Sequence, residues 1–365
     1  MILLIPISLI YGAIGVFGYY KIWVKKDVVK PVELPEGVSI VIALRNEEKN
    51  LPRLVSSLLK LKLPFDFEIV FINDNSTDSS FHLLNEIAKK HSFIHVLNNP
   101  NEGKKSAIKL GVEAAKYHVI CQTDADCEVK EYWIMSTITK MFSEKIDLVL
   151  GPVYPFKAKG FLNGLIRLEW LAMQFITVLT ASLKKPGMAN GANMVFYKED
   201  YLTFCASNFG KSYASGDDMF FLRFLQKQGK KVSFNLDKEA IVTTEMPSTL
   251  KALLKQRVRW ATKASKTTNG LTYFFSLIIA LANFAWIGAL FYVLKNDELL
   301  PIFIISIFGK LLTDYIICWS MARFYYDSKA LKFIPLLFVI YPLYLLCGFF
   351  ISFKRKYTWK ERNVS

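Results

Sequence analysis

SIVIALRNEEKNLPRLVSSLLKLKLPFDFEIVFINDNSTD, residues 39–78, decides the fold. Its opening SIVIAL (39–44) is aliphatic and uncharged, which predicts a strand. Asn50–Leu61 then puts Leu51, Leu54, Val55, Leu58 and Leu59 on one face of a helix. FEIVFI (67–72) predicts the next strand. The alternation continues outward: helix Ser79–Lys90, strand FIHVL (93–97), helix Lys104–Lys116, strand HVICQT (118–123). Strands separated by helices of this length pair in parallel through right-handed crossovers. The whole of 38–270 therefore reads as one α/β domain.

In open α/β sheets, ligands bind beyond the carboxyl ends of the strands. The residues just after each strand are thus the informative ones. They are Arg45-Asn46-Glu47-Glu48, then Asn73 to Asp78, then Asn101-Glu102-Gly103-Lys104-Lys105, then Thr123-Asp124-Ala125-Asp126. Each has a plain structural reading. Asp, Asn and Ser cap helices, and Asp78 fits that role. Gly103-Lys104 lacks the full phosphate-loop pattern. Asp124 and Asp126 fit a turn, but residues two apart at a strand end point the same way. So placed, they can share one hard cation such as magnesium or manganese. Their common location makes a joint functional reading stronger than any single one.

The chain has 365 residues, 52% hydrophobic, with a net charge of +15. Such apolar content excludes a disordered chain, and five cysteines without paired spacing exclude a disulfide scaffold. Cys121, Cys127 and Cys205 are expected reduced, and His91 with His95 is not expected to bind metal. The apolar excess lies in runs. Residues 1–20 carry no charged side chain and are followed by Lys21, Lys25, Lys26 and Lys30. About 20 such residues at ~1.5 Å each span a bilayer core, and the basic flank marks an uncleaved anchor with that side in the cytoplasm. Residues 271–294 and 333–353 are further runs. Between them, 299–320 holds Lys310 and Asp314, four apart on one helical face. Each costs ~2.5–3.5 kcal/mol unpaired at mid-membrane, so they pair or line a polar path. The expected divisions are an anchor at 1–24, a linker at 25–37, the α/β domain at 38–270, a membrane region at 271–353 and a basic tail at 354–365. If all three later runs cross, the tail lies outside, against the rule that basic flanks stay inside. One run is then expected not to cross, with Pro-broken 333–353 as a re-entrant hairpin or 299–320 at the interface. Residues 161–183, interrupted by Arg167 and Glu169, are expected as an amphipathic, partly interfacial helix bordering the acceptor site, with a buried core helix as the alternative.

Taken together, the motifs resemble the family 2 inverting glycosyltransferases. They are Leu44-Arg45-Asn46-Glu47-Glu48, NDNSTD (73–78), NEGKKSA (101–107), TDAD (123–126), GANMVF (191–196), SGDD (215–218) and QRVRW (256–260). The resemblance implies a GT-A nucleotide-sugar-binding fold, a mostly parallel Rossmann-like sheet, with one N-terminal and two to three C-terminal transmembrane helices. It implies that Glu47 and Asp74 hold the base and ribose, and that Lys104 helps bind the phosphates. Asp124 and Asp126 become the nucleotide and metal pair, with Mg2+ or Mn2+ as cofactor. Asp218 becomes the general base, with Asp217 in place of the family's usual Glu, which leaves open which carboxylate faces the acceptor. Gln256, Arg257, Arg259 and Trp260 resemble the element near the pyrophosphate, while Gly191 and Asn193 fall in the sugar or acceptor loop.

The expectation is a hexosyltransferase in the inner (cytoplasmic) membrane, multi-pass, with its catalytic domain in the cytoplasm. Its partners are a nucleotide-diphosphate sugar donor, a lipid-linked or membrane-embedded acceptor and membrane lipids. Basic residues gather beside apolar runs rather than across a groove, which argues against nucleic acid. Lys251 and Lys255 fit membrane-surface charge. A processive polysaccharide synthase and a catalytically silent nucleotide-binding scaffold are the alternatives.

Overall fold

A computed structural model describes residues 4–24, 33–156, 160–207, 209, 216–352, 357–359 and 362–364; side chains of 261–266 and beyond 346 are not described. Most of the expected linker, Lys25, Lys26 and Lys30, Ser215, and tail residues Lys354, Arg355, Lys356, Lys360 and Glu361 lie outside them, as does the side chain of Cys347.

The chain forms two compact units. A sheet unit comprises Val28–Phe156, Met188–Met246 and Thr358–Ser365; a helical unit comprises Met1–Asp27, Lys157–Gly187 and Pro247–Tyr357. The boundary thus differs from a single block at 38–270. Within the helical unit, Phe161–Ser182 packs on Leu300–Phe324 and Leu250–Thr267 packs on Ile334–Ser352.

In the sheet unit, β1 (Gly37–Leu44), β2 (Asp66–Asn73), β3 (Ile94–Asn98), β4 (Val119–Gln122), β5 (Cys127–Glu128), β6 (Leu148–Leu150), β7 (Val153–Pro155), β8 (Met194–Tyr197), β9 (Val232–Phe234) and β10 (Val242–Thr244) build two sheets. The larger has the order β3-β2-β1-β4-β8-β6-β9 and the smaller β5-β10-β7. β1 to β4 are mutually parallel as expected, while β8 runs antiparallel to both β4 and β6. All eight residues of β1 are buried, as a strand covered on both faces requires. The Leu51–Leu58 helix buries Leu51, Leu54, Val55 and Leu58, the face its spacing sets.

Register gathers the loops. Leu44 pairs with Asn73 and Asn73 with Asn98, so three strands end level. Gln122 pairs with Val41 and with Met194, so β4 ends three residues deeper and β8 begins beside it. The Thr123–Asp126 and Gly191–Asn193 segments therefore meet at the carboxyl edge.

Five helices among the described residues are long and apolar enough to cross a membrane: Ile5–Trp23, Phe161–Ser182, Gly270–Val293, Asp297–Phe324 and Ser328–Leu346. Connectivity forbids a crossing by Phe161–Ser182. It leaves from β7 and returns to β8, and both strands belong to the sheet unit. Nor is it an exposed interfacial helix: Leu168, Leu171, Phe175 and Leu179 are fully buried. The 333–353 run is one continuous helix, Ile334–Ser352, running through Pro342, and not a hairpin.

Within the helical unit the ionic groups close on one another. Lys310 Nζ donates to Asp314 Oδ2 (2.6 Å), and Tyr11 OH donates to Asp314 Oδ1 (2.7 Å). Arg167 NH1 donates to Asp327 Oδ2 (2.6 Å). The Leu4–Trp23 helix also donates from Trp23 Nε1 to Ser320 Oγ (3.0 Å) and sets Gly15 against Thr313, so it packs as a bundle member.

Candidate active site

The loop after β1 is held by the loop after β2. Asn46 takes a left-handed conformation (φ 53°), which Asn tolerates, and its Oδ1 accepts from Thr77 N (2.8 Å). Glu47 N donates to Ser80 Oγ (2.8 Å), and Glu47 Oε2 accepts from Asn50 Nδ2 (2.7 Å). Asp78 accepts from Ser80 N (3.0 Å) and Glu48 N (3.2 Å), the local capping its sequence suggested. These hydrogen bonds outweigh the burial that would raise its pKa and hold it below the usual carboxylate value.

Asp74 is 2% exposed. Its Oδ1 accepts from Asn99 Nδ2 (2.9 Å) and Gly103 N (2.8 Å), which orders the Asn99–Gly103 loop. Gly103 ends that loop at φ 104°, a conformation that favours glycine, and opens the Lys104–Ala114 helix. A cation in the first turn of a helix opposes the helix dipole, so helix capping does not account for Lys104. Carboxylates do. Its Nζ lies 2.5 Å from Asp124 Oδ1, with both side chains 29% exposed. Burial alone would lower the ammonium pKa; the charges of Asp124, Asp217 and Asp218 outweigh it and raise the pKa.

Asp124 and Asp126 are brought together by a turn, not by strand alternation as expected. β4 stops at Gln122, and Cys127 N donates to Asp124 O (3.2 Å) to close the bend. Burial pushes the Asp126 carboxyl up to about 6, helped by the charges of Asp124 and Glu47. Such like-charge crowding is what a bound cation relieves. No group of three His, Cys, Asp or Glu suited to a metal exists among the described residues. A hard ion on Asp124 and Asp126 would draw its other oxygens from ligand or water, which suits Mg2+ or Mn2+.

Asp217 and Asp218 open the Asp217–Lys227 helix, where the dipole favours carboxylates. They differ in exposure. Asp217 is 7% exposed and near the buried Tyr201, whose phenol burial and then Asp217 hold well above its ordinary pKa. Asp218 is half-buried; its Oδ1 accepts from Met219 N (2.8 Å) and its Oδ2 from Gly191 N (3.3 Å). Gly191 lies between the two groups of charge. A Cβ there would sit 3.8 Å from both Lys104 Nζ and Asp218 Cβ, and 2.8 Å from Gln122 Nε2.

Asn193 does not face this edge. It is 1% exposed, accepts from Trp133 Nε1 (2.9 Å) and donates to Pro152 O (3.0 Å) and Ala240 O (2.8 Å). Its amide is consumed inside the sheet unit, which removes it from a sugar or acceptor pocket. Arg257 likewise differs from its expected donor-binding role. It belongs to the Leu250–Thr267 helix of the helical unit, where it donates to Glu169 Oε2 (2.5 Å), Tyr344 OH (2.9 Å) and Gln256 Oε1 (3.1 Å). Its guanidinium also covers Trp260 at 4.4 Å. Arg259 is on the same helix; Lys251 and Lys255 are exposed.

Sequence reading missed Arg53. It donates to Asp126 O (3.1 Å), pairs with Glu245 (3.2 Å) and covers the Phe156 ring at 4.4 Å, bracing the Asp-X-Asp turn. It also missed Asn99, which joins Asp74 to Ser106 seven residues on, and Trp133, whose partner Asn193 lies 60 residues away.

Residues 39–203 match the model of glycosyl transferase family 2, a stretch that stops short of Asp217 and Asp218. Poly-beta-1,6-N-acetyl-D-glucosamine synthase of Staphylococcus epidermidis is 26% identical over 235 residues, 62% of this chain and 54% of the synthase. A probable glycosyltransferase of Bacillus subtilis is 27% identical over 248 residues, 63% and 55% of the two chains. The chain thus spans about half the length of these curated relatives. A mannosyltransferase of Pyrobaculum calidifontis, solved with GDP-Man and Mn2+, shares the fold with a TM-score of 0.56 at 14% identity, over 96% of this chain and 98% of that one.

Proposed function

We propose that the chain, whose residues 39–203 match the model of glycosyl transferase family 2, is a membrane-anchored inverting glycosyltransferase. It moves a sugar from a nucleotide-diphosphate donor to a hydroxyl of a membrane-associated, lipid-linked acceptor. One observation carries this reading. Two carboxylate pairs from distant parts of the chain, Asp124 with Asp126 and Asp217 with Asp218, converge on Lys104 at the carboxyl edge of the sheet.

The chemistry follows from that placement. The acceptor oxygen forms a bond to the anomeric carbon while the bond to the diphosphate oxygen breaks, inverting the centre. Asp218 takes the acceptor proton; of the two acids it is the more exposed, and backbone amides aim it. Lys104 offers positive charge to the leaving diphosphate. Asp124 and Asp126 would hold Mg2+ or Mn2+, which neutralises charge on the departing diphosphate when bound. Glu47 and Asp74 hold the loops that receive the nucleoside. The apolar helices Leu4–Trp23 and Gly270–Val293 anchor the protein in the cell membrane, with the sheet unit in the cytoplasm where nucleotide sugars are made.

The names of the relatives favour a second reading, processive synthesis of a polysaccharide. Mass spectrometry of lipid-linked glycans from a deletion strain tests both. Loss of a species one sugar longer than its precursor supports single transfer, and loss of a ladder of repeats supports the synthase. Unchanged profiles contradict both and favour the silent scaffold.

A further inference from the structure

We propose that Lys104 holds the cation position at Asp124, so that a divalent metal enters together with a diphosphate and not ahead of it. This rests on Asp124 and Asp126 as metal ligands. Lys104 Nζ donates a charge-assisted hydrogen bond to Asp124 Oδ1. Both side chains are 29% exposed, so the pair lies at an accessible edge. The helix dipole does not favour a cation at this position, so the carboxylates around the ammonium keep it there. Gly191 borders Nζ: a Cβ there would lie 3.8 Å from it, in ordinary contact.

A metal that takes Asp124 Oδ1 competes with this ammonium for the oxygen. Alone, it leaves Lys104 without its closest partner. A diphosphate arriving with the metal supplies a replacement anion, so each ligand strengthens the other by the same factor. Lys104 acts here as a positioning residue that sets the order of entry.

The test is Mn2+ binding to purified full-length protein in detergent, followed by electron paramagnetic resonance without nucleotide. Lys104→Gln and Lys104→Met should bind Mn2+ about tenfold more tightly than wild type, within the usual range of site coupling. Lys104→Arg should resemble wild type. Lys109→Gln, which removes an exposed charge from the same helix, should shift binding less than about twofold. Unchanged or weaker binding in both neutral variants, or an equal gain in Lys109→Gln, would overturn the proposal. Asp124→Asn in the Lys104→Gln background separates the two readings. Loss of Mn2+ binding keeps Asp124 as a ligand whatever Lys104 does, and undiminished binding defeats the metal assignment itself. Should both neutral variants fail to fold, wild type decides with inorganic pyrophosphate as the probe. Mn2+ and pyrophosphate must strengthen each other after correction for their complex in solution, and independent binding overturns the proposal.

Discussion

The two units use charge in opposite ways. In the helical unit the cations meet their carboxylates in closed contacts: Lys310 with Asp314, Arg167 with Asp327, Arg257 with Glu169. Asp314 and Glu169 also take a tyrosine hydroxyl. In the sheet unit, Lys104 faces three carboxylates at once, and Asp126 adds a fourth acid nearby. Closed pairs inside apolar packing hold a structure together. A surplus of carboxylates around one half-buried lysine invites a further cation. Removing charge should therefore damage folding in one unit and chemistry in the other.

The largest expected effect is on turnover. Asp218→Asn should lower kcat by about 10²–10⁴, the usual contribution of a general base. Its thermal midpoint should stay near wild type, because the half-exposed side chain contacts only two backbone amides. In the helical unit the balance reverses. Arg167→Ala removes the charge partner of Asp327, 3% exposed, and should cost about 3–5 kcal/mol in unfolding titrations. Nucleotide binding by the protein that remains folded should not change; a selective loss of nucleotide binding would blur the contrast. Asn193→Ala tests a residue at the site's edge in sequence but not in function. Removing the acceptor of Trp133 Nε1 and the donor to Ala240 O, while Pro152 O keeps Val242 N, should cost about 2–3 kcal/mol, with the KM for donor unchanged. At the small end, Lys109→Ala breaks only an exposed pair with Glu113 and should stay within about 0.5 kcal/mol by the same titration.

The comparison also marks what the sequence made legible. Strands, helices and the loops after them follow from local spacing, so Glu47, Asp74, Lys104 and Asp124 could be placed at one edge in advance. Exposure could not. Asp217 and Asp218 look equivalent in sequence, and only packing against Tyr201 and Gly191 separates them. Asn193 and Gly191 are two residues apart, yet one turns inward and the other borders Lys104. Spacing does not reveal the pairing of Arg257, because its partner Glu169 lies 88 residues away. Arg53 carried no motif; its role comes from a carbonyl 73 residues on. The Phe161–Ser182 helix has the length and composition of a span, and only strand pairing on either side of it excludes that.

The most direct measurement is release of nucleoside diphosphate by purified full-length protein, with Mn2+, a panel of nucleotide sugars and lipid-linked acceptors. Acceptor-dependent release by wild type is predicted, together with its loss in Asp124→Asn and in Asp218→Asn at unchanged thermal stability. Equal release by wild type and both variants would contradict the account.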